Sequence, residues 1–172
     1  MMSSPFFSKA WRGLAAAAAV ASLGACAIFS PPKFEPGASP AAVTQQLGQP
    51  TGDYPQPGGG HTLEFASGPF GRFTYLVRFD GDDKLVSGEQ VLTERNFNAI
   101  RAGMTADEVR LAIGRPGTTF GVHYPKEIVW AYRYDSPFCQ RFMVGMGFDD
   151  KVIDTAYGPD PACDNDRPFF AR

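Results

Sequence analysis

Two segments of this chain alternate apolar and polar residues with a period of two, which is the pattern of a half-buried β-strand. They are FTYLVRF at 73–79 and FMVGMGF at 142–148. We expect one face of each strand to carry its large apolar side chains: Phe73, Tyr75, Val77 and Phe79 in the first, and Phe142, Val144, Met146 and Phe148 in the second. An acidic run follows each segment and predicts a hairpin turn into a further strand.

Two more strands complete each group. HTLEFA at 61–66 and EIVWAYRY at 127–134 precede the alternating segments, and both are rich in apolar and aromatic residues. The strands that follow the acidic turns fall in KLVSGEQVL (84–92) and KVIDTAYG (151–158). The sequence therefore predicts two three-stranded antiparallel meanders, each with an apolar face that needs a covering element.

The period changes to that of a short α-helix between residues 105 and 113. Its N-terminus carries a cap, a capping-box acid and a hydrophobic staple, and its C-terminus a glycine and a proline. The residues in these roles are Thr105 as cap, Glu108 as the acid, Met104 and Val109 as the staple, Ile113 as a further core position, and Gly114 and Pro116 as the stop. So short a helix is marginal alone, so we expect it to pack on the second meander.

The same helix pattern occurs twice at a constant offset of 66 residues, in PGASPAAVTQQLGQPT (36–51) and AGMTADEVRLAIGRPG (102–117). The matching positions are Gly37 with Gly103, Ser39 with Thr105, Val43 with Val109, Leu47 with Ile113, Gly48 with Gly114, and Pro50 with Pro116. The predicted fold is therefore α+β, with two tandem units of a short helix plus a three-stranded antiparallel meander. The units span 37–92 and 93–158, a second helix is predicted at 93–101, and 159–172 form a C-terminal tail.

The N-terminus has the order of a bacterial secretory signal: Lys9 and Arg12, then an apolar run, then small residues before a cysteine. LGAC at 23–26 resembles the lipobox of bacterial lipoproteins. That resemblance implies cleavage of residues 1–25 after Ala25 and acylation of Cys26, with palmitate among the acyl chains. Because Ala27 follows and not aspartate, it also implies sorting to the outer membrane, with residues 26–36 as a tether. An ordinary signal peptide with an incidental cysteine is the alternative, but the fit of four positions favours the lipobox.

Two cysteines remain after lipidation, Cys139 and Cys163. In an oxidising periplasm we expect them to form a disulfide that pins the C-terminal tail to the second meander. The alternative is two free thiols, which are a liability outside the cytoplasm.

Composition and charge indicate little chemistry. Once residues 1–25 and their two basic residues are removed, 14 basic residues face 18 acidic ones, so no broad basic patch for nucleic acid is expected. His61 and His123 have no cysteine or carboxylate at ligand spacing, and the acidic run 80–83 lacks the other EF-hand positions. We therefore expect no enzyme, no catalytic residue, no metal and no cofactor.

The segment FNAIRAGMTADEVRLAIGRP (97–116) resembles the signature of the SmpA/OmlA (BamE-like) family of small outer-membrane lipoproteins. The positions that carry the resemblance are Phe97, Ile100, Gly103, Met104, Thr105, Glu108, Val109, Ile113, Gly114 and Pro116. The resemblance covers 94–157 well and 36–92 more weakly, and it implies a lipid-anchored assembly or envelope-integrity factor that binds protein partners without catalysis. The tandem layout also resembles the β-lactamase inhibitor proteins, which implies the alternative of a periplasmic protein-binding or inhibitory module.

Overall fold

A computed structural model describes residues 31–124 and 126–166 of the chain. The predicted signal peptide, the Ala25–Cys26 cleavage and lipidation site and the end of the tail lie outside these described residues. From Phe34 onward the described residues form one compact body. Phe34 itself, which the sequence assigns to the tether, lies against the first core, with its ring 5.9 Å from that of Tyr75.

The described chain is α+β and consists of two tandem units, as predicted. The first unit contains α1 (Pro40–Leu47), β1 (Gly52–Pro55), β2 (His61–Ala66), β3 (Thr74–Phe79) and β4 (Leu85–Gln90). The second contains α2 (Glu94–Phe97), α3 (Ala106–Ile113), β5 (Thr118–Val122), β6 (Glu127–Arg133), β7 (Gln140–Met146) and β8 (Val152–Pro159), and a 3₁₀ turn follows at Pro161–Asp166. The strands form two separate antiparallel sheets, in the orders β1-β2-β3-β4 and β5-β6-β7-β8.

The predicted strand count was wrong, because each sheet has four strands and not three. The added strands, β1 and β5, form one edge of each sheet. β1 is only four residues long and contains a glycine and a proline, while β5 exposes four of its five residues. β1 fully buries only Gly52 and β5 fully buries none of its residues, so neither sequence carries the strong period-2 signal of β3 and β7.

Helices α1 and α3 begin and end at the capping residues that the sequence predicts, whereas α2 is shorter than predicted. Ser39 Oγ accepts from Ala42 N in α1, and Thr105 and Glu108 form both bonds of a capping box in α3. Gly48 and Gly114 follow the two helices with positive φ, 87° and 76°. The helix predicted at 93–101 is α-helical only over Glu94–Phe97, since Ala99 and Ile100 continue it with tighter i→i+3 bonds.

Each sheet buries one face against helices of its own unit. The first core contains Val43, Leu63, Phe65, Val77, Phe79 and Leu85. The second is larger and includes Phe97, Val109, Ile113, Trp130, Tyr132, Phe142, Val144 and Met146. Phe73 and Phe148 were expected on these faces but are 46% and 67% exposed, because β3 begins after Phe73 and β7 ends before Phe148.

A backbone contact before each helix repeats between the units. Gly37 N donates to Leu85 O at 2.9 Å, and Gly103 N donates to Val152 O at 2.8 Å. Both glycines have positive φ, 79° and 87°. The segment before each helix is therefore bonded to the start of the last strand in its own unit, which covers part of that sheet edge.

Candidate functional site

The two units meet at a buried carboxylate, Glu64 in β2, whose side chain is fully enclosed. Thr51 Oγ1 donates to Glu64 Oε1 at 2.7 Å, and Tyr54 OH donates to Oε2 at 2.8 Å. Arg115 N, just after α3, donates to Oε2 at 2.8 Å. Because donors from both units satisfy its oxygens, Glu64 acts as a structural junction between the units.

Arg115 and Tyr54 close this junction on its solvent side. Arg115 Nε lies 3.8 Å from Glu64 Oε1 and donates to Tyr54 OH at 3.4 Å. Burial raises the pKa of Tyr54 above its ordinary value, although its bond to Arg115 opposes the shift. The Tyr54 hydroxyl therefore stays protonated at neutral pH and remains available as the donor to Glu64.

Gly114 allows the close approach of the two units. A Cβ at this position would lie 2.7 Å from Thr74 Cγ2 and 3.2 Å from Glu64 Oε2, and the positive φ of Gly114 further disfavours a side chain. Tyr132 OH donates to Gly114 O at 3.2 Å. Burial raises the pKa of Tyr132 well above its ordinary value, so this hydroxyl is a fixed donor and not a proton carrier.

An open groove of about 580 Å³ lies between the units, next to the junction. It is lined by Tyr54 of β1, Asp107 and Arg110 of α3, Arg115 and Pro116, Thr119 of β5, and Trp130 of β6. The Arg110 guanidinium lies 4.8 Å from the centre of the Trp130 ring, and its Nη1 is 2.8 Å from Asp107 Oδ1. The groove thus combines an aromatic edge with two arginines, a chemistry typical of protein-binding surfaces.

A smaller cavity of about 170 Å³ lies behind the junction, where Glu64, Thr74 and Tyr132 are among its lining residues. Two of its polar side chains are already engaged: Glu64 accepts from three donors, and Tyr132 donates to Gly114 O.

The disulfide predicted between Cys139 and Cys163 is present, with a Cα–Cα distance of 6.1 Å and a sequence separation of 24 residues. Asp160 N donates to Cys139 O at 2.8 Å, and Asp160 pairs with Arg133 Nε at 2.6 Å. Arg133 Nη1 also donates to Phe70 O at 2.6 Å, in a loop of the first unit. The disulfide therefore stabilises an end of the second unit that also contacts the first.

The two histidines differ in their surroundings. His61 Nδ1 lies 3.0 Å from Asp53 Oδ1, and its Nε2 lies 3.5 Å from Asp83 Oδ1. Sequence spacing did not indicate these carboxylates, because β1 and the β3–β4 turn bring them to His61 only in the folded sheet. His123 is exposed in the β5–β6 turn. Within the described ranges, no group of three or more His, Cys, Asp or Glu side chains is arranged to hold a metal ion.

The predicted motif residues occupy caps and cores and do not line the groove, apart from Pro116. The residues that sequence reasoning missed are Thr51, Tyr54, Glu64, Arg110, Arg115 and Trp130. Glu64 lies between Leu63 and Phe65 of the first core, so its side chain is on the opposite face of β2, which would be open to solvent in an isolated sheet. That face is instead covered by the end of α3, a long-range contact with no local signal.

Comparisons with models of known protein families, with curated proteins and with solved structures found no match for this chain. The likeness to the SmpA/OmlA family therefore rests on the residues quoted above. None of the helices in the described ranges has the length and apolar content needed to cross a bilayer.

Proposed function

We propose that this chain is a non-catalytic lipoprotein of the outer membrane, anchored through Cys26, that faces the periplasm. In this proposal it acts as a BamE-like assembly or envelope-integrity factor and binds another envelope protein in the groove between its two units. The membrane contact is made by the acyl chains, and neither nucleic acid nor a cofactor takes part.

The Cys139–Cys163 disulfide supports a location in the periplasm. Structural disulfides persist in the periplasm and on cell surfaces, whereas the bacterial cytoplasm keeps most thiols reduced. The pair closes a loop whose constraint contributes about 3 kcal/mol in the chain-entropy view. A disulfide-bonded chain agrees with export by the N-terminal signal, which the sequence indicates independently.

The observation that carries the binding role is the groove itself. Tyr54 lines it from the first unit and the other lining residues, Trp130 and Arg110 among them, come from the second, and the side chain of Arg115 is 54% exposed. Arginine and tryptophan are enriched among the residues that dominate binding energy at protein interfaces. The hydrogen bonds that Glu64 accepts from both units hold residues beside the groove in place before a partner binds, and such preorganisation lowers the cost of binding.

Affinity purification from cross-linked, detergent-solubilised membranes tests the proposal. The tagged wild-type chain should capture an envelope protein, Cys26→Ser should lose most of that capture, and Arg115→Glu should abolish it. Arg95→Glu is the matched control, because Arg95 is exposed on α2 and does not line the groove. Equal capture by the wild type and by Arg115→Glu would contradict the binding role of the groove.

A periplasmic inhibitor-type module is the second candidate, and one observation favours it. On the face of the second sheet away from α3, Glu127 Oε2 and Arg141 Nε are buried without hydrogen-bond partners in the described structure. A protein docked on that face could satisfy both atoms. In the purification above, capture of one soluble partner favours this candidate, whereas co-purifying barrel-assembly subunits favour the first.

A further inference from the structure

The four sheet edges in the described ranges differ in how they are protected against pairing with another strand. β1 contains Pro55 and Asp53. β4 and β8 are each bonded at their start to the segment before a helix, and the ladder beside each has a register shift. Proline, charge, bulges and covering segments are the usual means of blocking an edge.

β5 has none of these protections in the described structure. Its sequence is Thr-Thr-Phe-Gly-Val, without a charge or a proline, and its first four residues are exposed. It pairs with β6 in an unbroken register and has no second neighbour in the sheet. An uncharged, exposed and regular edge strand is a template for the addition of another strand.

The direction of the β5 backbone identifies the groups that remain available. Gly117 N donates to Ala131 O at 3.1 Å, so the Ala131 carbonyl points toward β5. Ala131 is the register partner of Thr118. Because backbone groups alternate in direction along an antiparallel strand, the N–H and C=O groups of Thr119 and Gly121 point away from β6. These are the groups that a further strand would bond.

The charged side chains around β5 favour an acidic occupant. Arg115 precedes the strand, Arg110 lies over Trp130, which pairs with Thr119, and the Arg141 guanidinium lies 5.0 Å from the Phe120 ring. The nearby acids are Asp107, which is already paired with Arg110, Glu64, which is fully buried with its Oε1 3.8 Å from Arg115 Nε, and Glu127 at the far end of the strand. Arg115 is the guanidinium that stays accessible to a partner, because its side chain is 54% exposed whereas Glu64 is fully enclosed.

We propose that β5 binds an extended acidic segment of another protein by strand addition, with the carboxylates of that segment on Arg115. This inference rests on the proposed binding role of the groove and specifies the chemistry of the partner. An antiparallel segment would place its C-terminal end at Arg115, because Arg115 lies before the start of β5. Arginine binds carboxylates through paired, charge-assisted hydrogen bonds, so acidic residues belong at that end of the segment.

The probe is a fluorescein-labelled heptapeptide of alternating valine and threonine that ends in two aspartates. Fluorescence anisotropy with the mature chain in detergent should show saturable binding. The same peptide with two asparagines should bind at least about fivefold more weakly, since it loses the charge-assisted bonds. In hydrogen exchange, the amides of Thr119 and Gly121 should be protected by the acidic peptide.

Gly121 provides a matched pair of variants. Gly121→Pro removes an outward N–H and should weaken binding about tenfold or more, the equivalent of one lost hydrogen bond. Gly121→Ala keeps the N–H, its Cβ meets open space, and it should bind within about twofold of the wild type. A thermal melt of each variant establishes that it is folded.

Arg115→Gln is the second variant, for the case that Gly121→Pro does not fold. The substitution keeps the backbone N–H of residue 115, which donates to Glu64 Oε2, so the junction between the units is preserved. Arg115→Gln should weaken binding of the aspartate peptide and leave binding of the asparagine peptide unchanged.

The proposal is overturned if no saturable binding occurs at about 1 mM peptide, if folded Gly121→Pro binds normally, or if Arg115→Gln weakens binding of both peptides equally. A dimer of the chain that Gly121→Pro dissociates would overturn it by making a second copy the occupant. Capture of a membrane partner that is insensitive to Gly121→Pro would preserve the proposed function and reject only this inference.

Discussion

The helices α1 and α3 share one sequence pattern but bury different numbers of side chains, so we expect them to contribute differently to stability. α3 buries Ala106, Val109 and Ile113, whereas α1 buries only Val43, and Leu47 is only partly covered. The C-cap glycine of α3 lies against Thr74 and Glu64 of the other unit, while the space around Gly48, after α1, is open. A repeat in sequence therefore sets equivalent local geometry, but position in the whole fold decides how much energy each copy contributes.

The buried glutamates give a second contrast between the units. Glu64 in β2 is satisfied by donors from both units. Glu127 in β6 keeps one buried oxygen without a hydrogen-bond partner in the described structure. A buried carboxylate stabilises a fold only when it is paired, because an unpaired one retains its desolvation penalty. We therefore expect substitutions at these positions to have opposite signs.

The largest expected effect compares Ile113 with Leu47. Ile113→Ala should lower the free energy of unfolding by about 3–5 kcal/mol, because Ile113 is fully buried and its loss leaves a cavity. Leu47→Ala should lower it by about 1–2 kcal/mol, in proportion to its partial burial. Urea unfolding of both variants measures the difference. Equal losses would show that the two units contribute alike and would break the comparison.

The junction between the units should respond almost as strongly. Glu64→Ala should lower the free energy of unfolding by about 3 kcal/mol, since it leaves the amide of Arg115 and the hydroxyl of Tyr54 without their acceptor. Glu89→Ala, an exposed glutamate on β4, is the control and should stay within about 0.5 kcal/mol. If Glu64→Ala unfolds at the same urea concentration as the control, Glu64 does not join the units.

The helix caps should differ by less. Thr105→Ala removes one side of a two-sided capping box and should lower the free energy of unfolding by about 1–2 kcal/mol. Ser39→Ala removes a single bond at 3.3 Å and should lower it by about 0.5–1 kcal/mol. Calorimetric melts of the two variants measure the difference. A larger loss of stability from Ser39→Ala than from Thr105→Ala would contradict the greater contribution assigned to α3.

The smallest effect concerns Glu127 and has a defined pH dependence. Burial, with the Asp154 charge as a second cause, raises the pKa of Glu127 above its ordinary value. The folded state therefore holds the Glu127 proton more tightly, so its contribution to stability is highest at acid pH and declines as the pH rises from the ordinary pKa to the raised one. Glu127→Gln should stabilise the protein at pH 7 and have little effect at about pH 3. Destabilisation at pH 7 would mean that Glu127 has a partner in solution.

Local signals predicted the elements that local physics determines. Thr105 with Glu108, Ser39, and the glycines after each helix define helix ends through short-range bonds. Alternation identified β3 and β7, and apolar and aromatic enrichment identified β2 and β6, which are buried on both faces. β1 and β5 carry no such alternation. Glu64 and Arg115 are 51 residues apart in sequence, and their contact depends on how one unit packs against the other. The groove follows from that packing, so no local pattern could predict it.

Intact-mass spectrometry of the mature chain, extracted from membranes without reductant, tests the central claim of a lipid-anchored periplasmic protein most directly. We expect a chain that begins at Cys26 and carries acyl chains there. Its mass should be lower than that of the reduced chain by two hydrogens, because Cys139 and Cys163 are joined. A chain that begins elsewhere, carries no lipid and is recovered from the soluble fraction would contradict it.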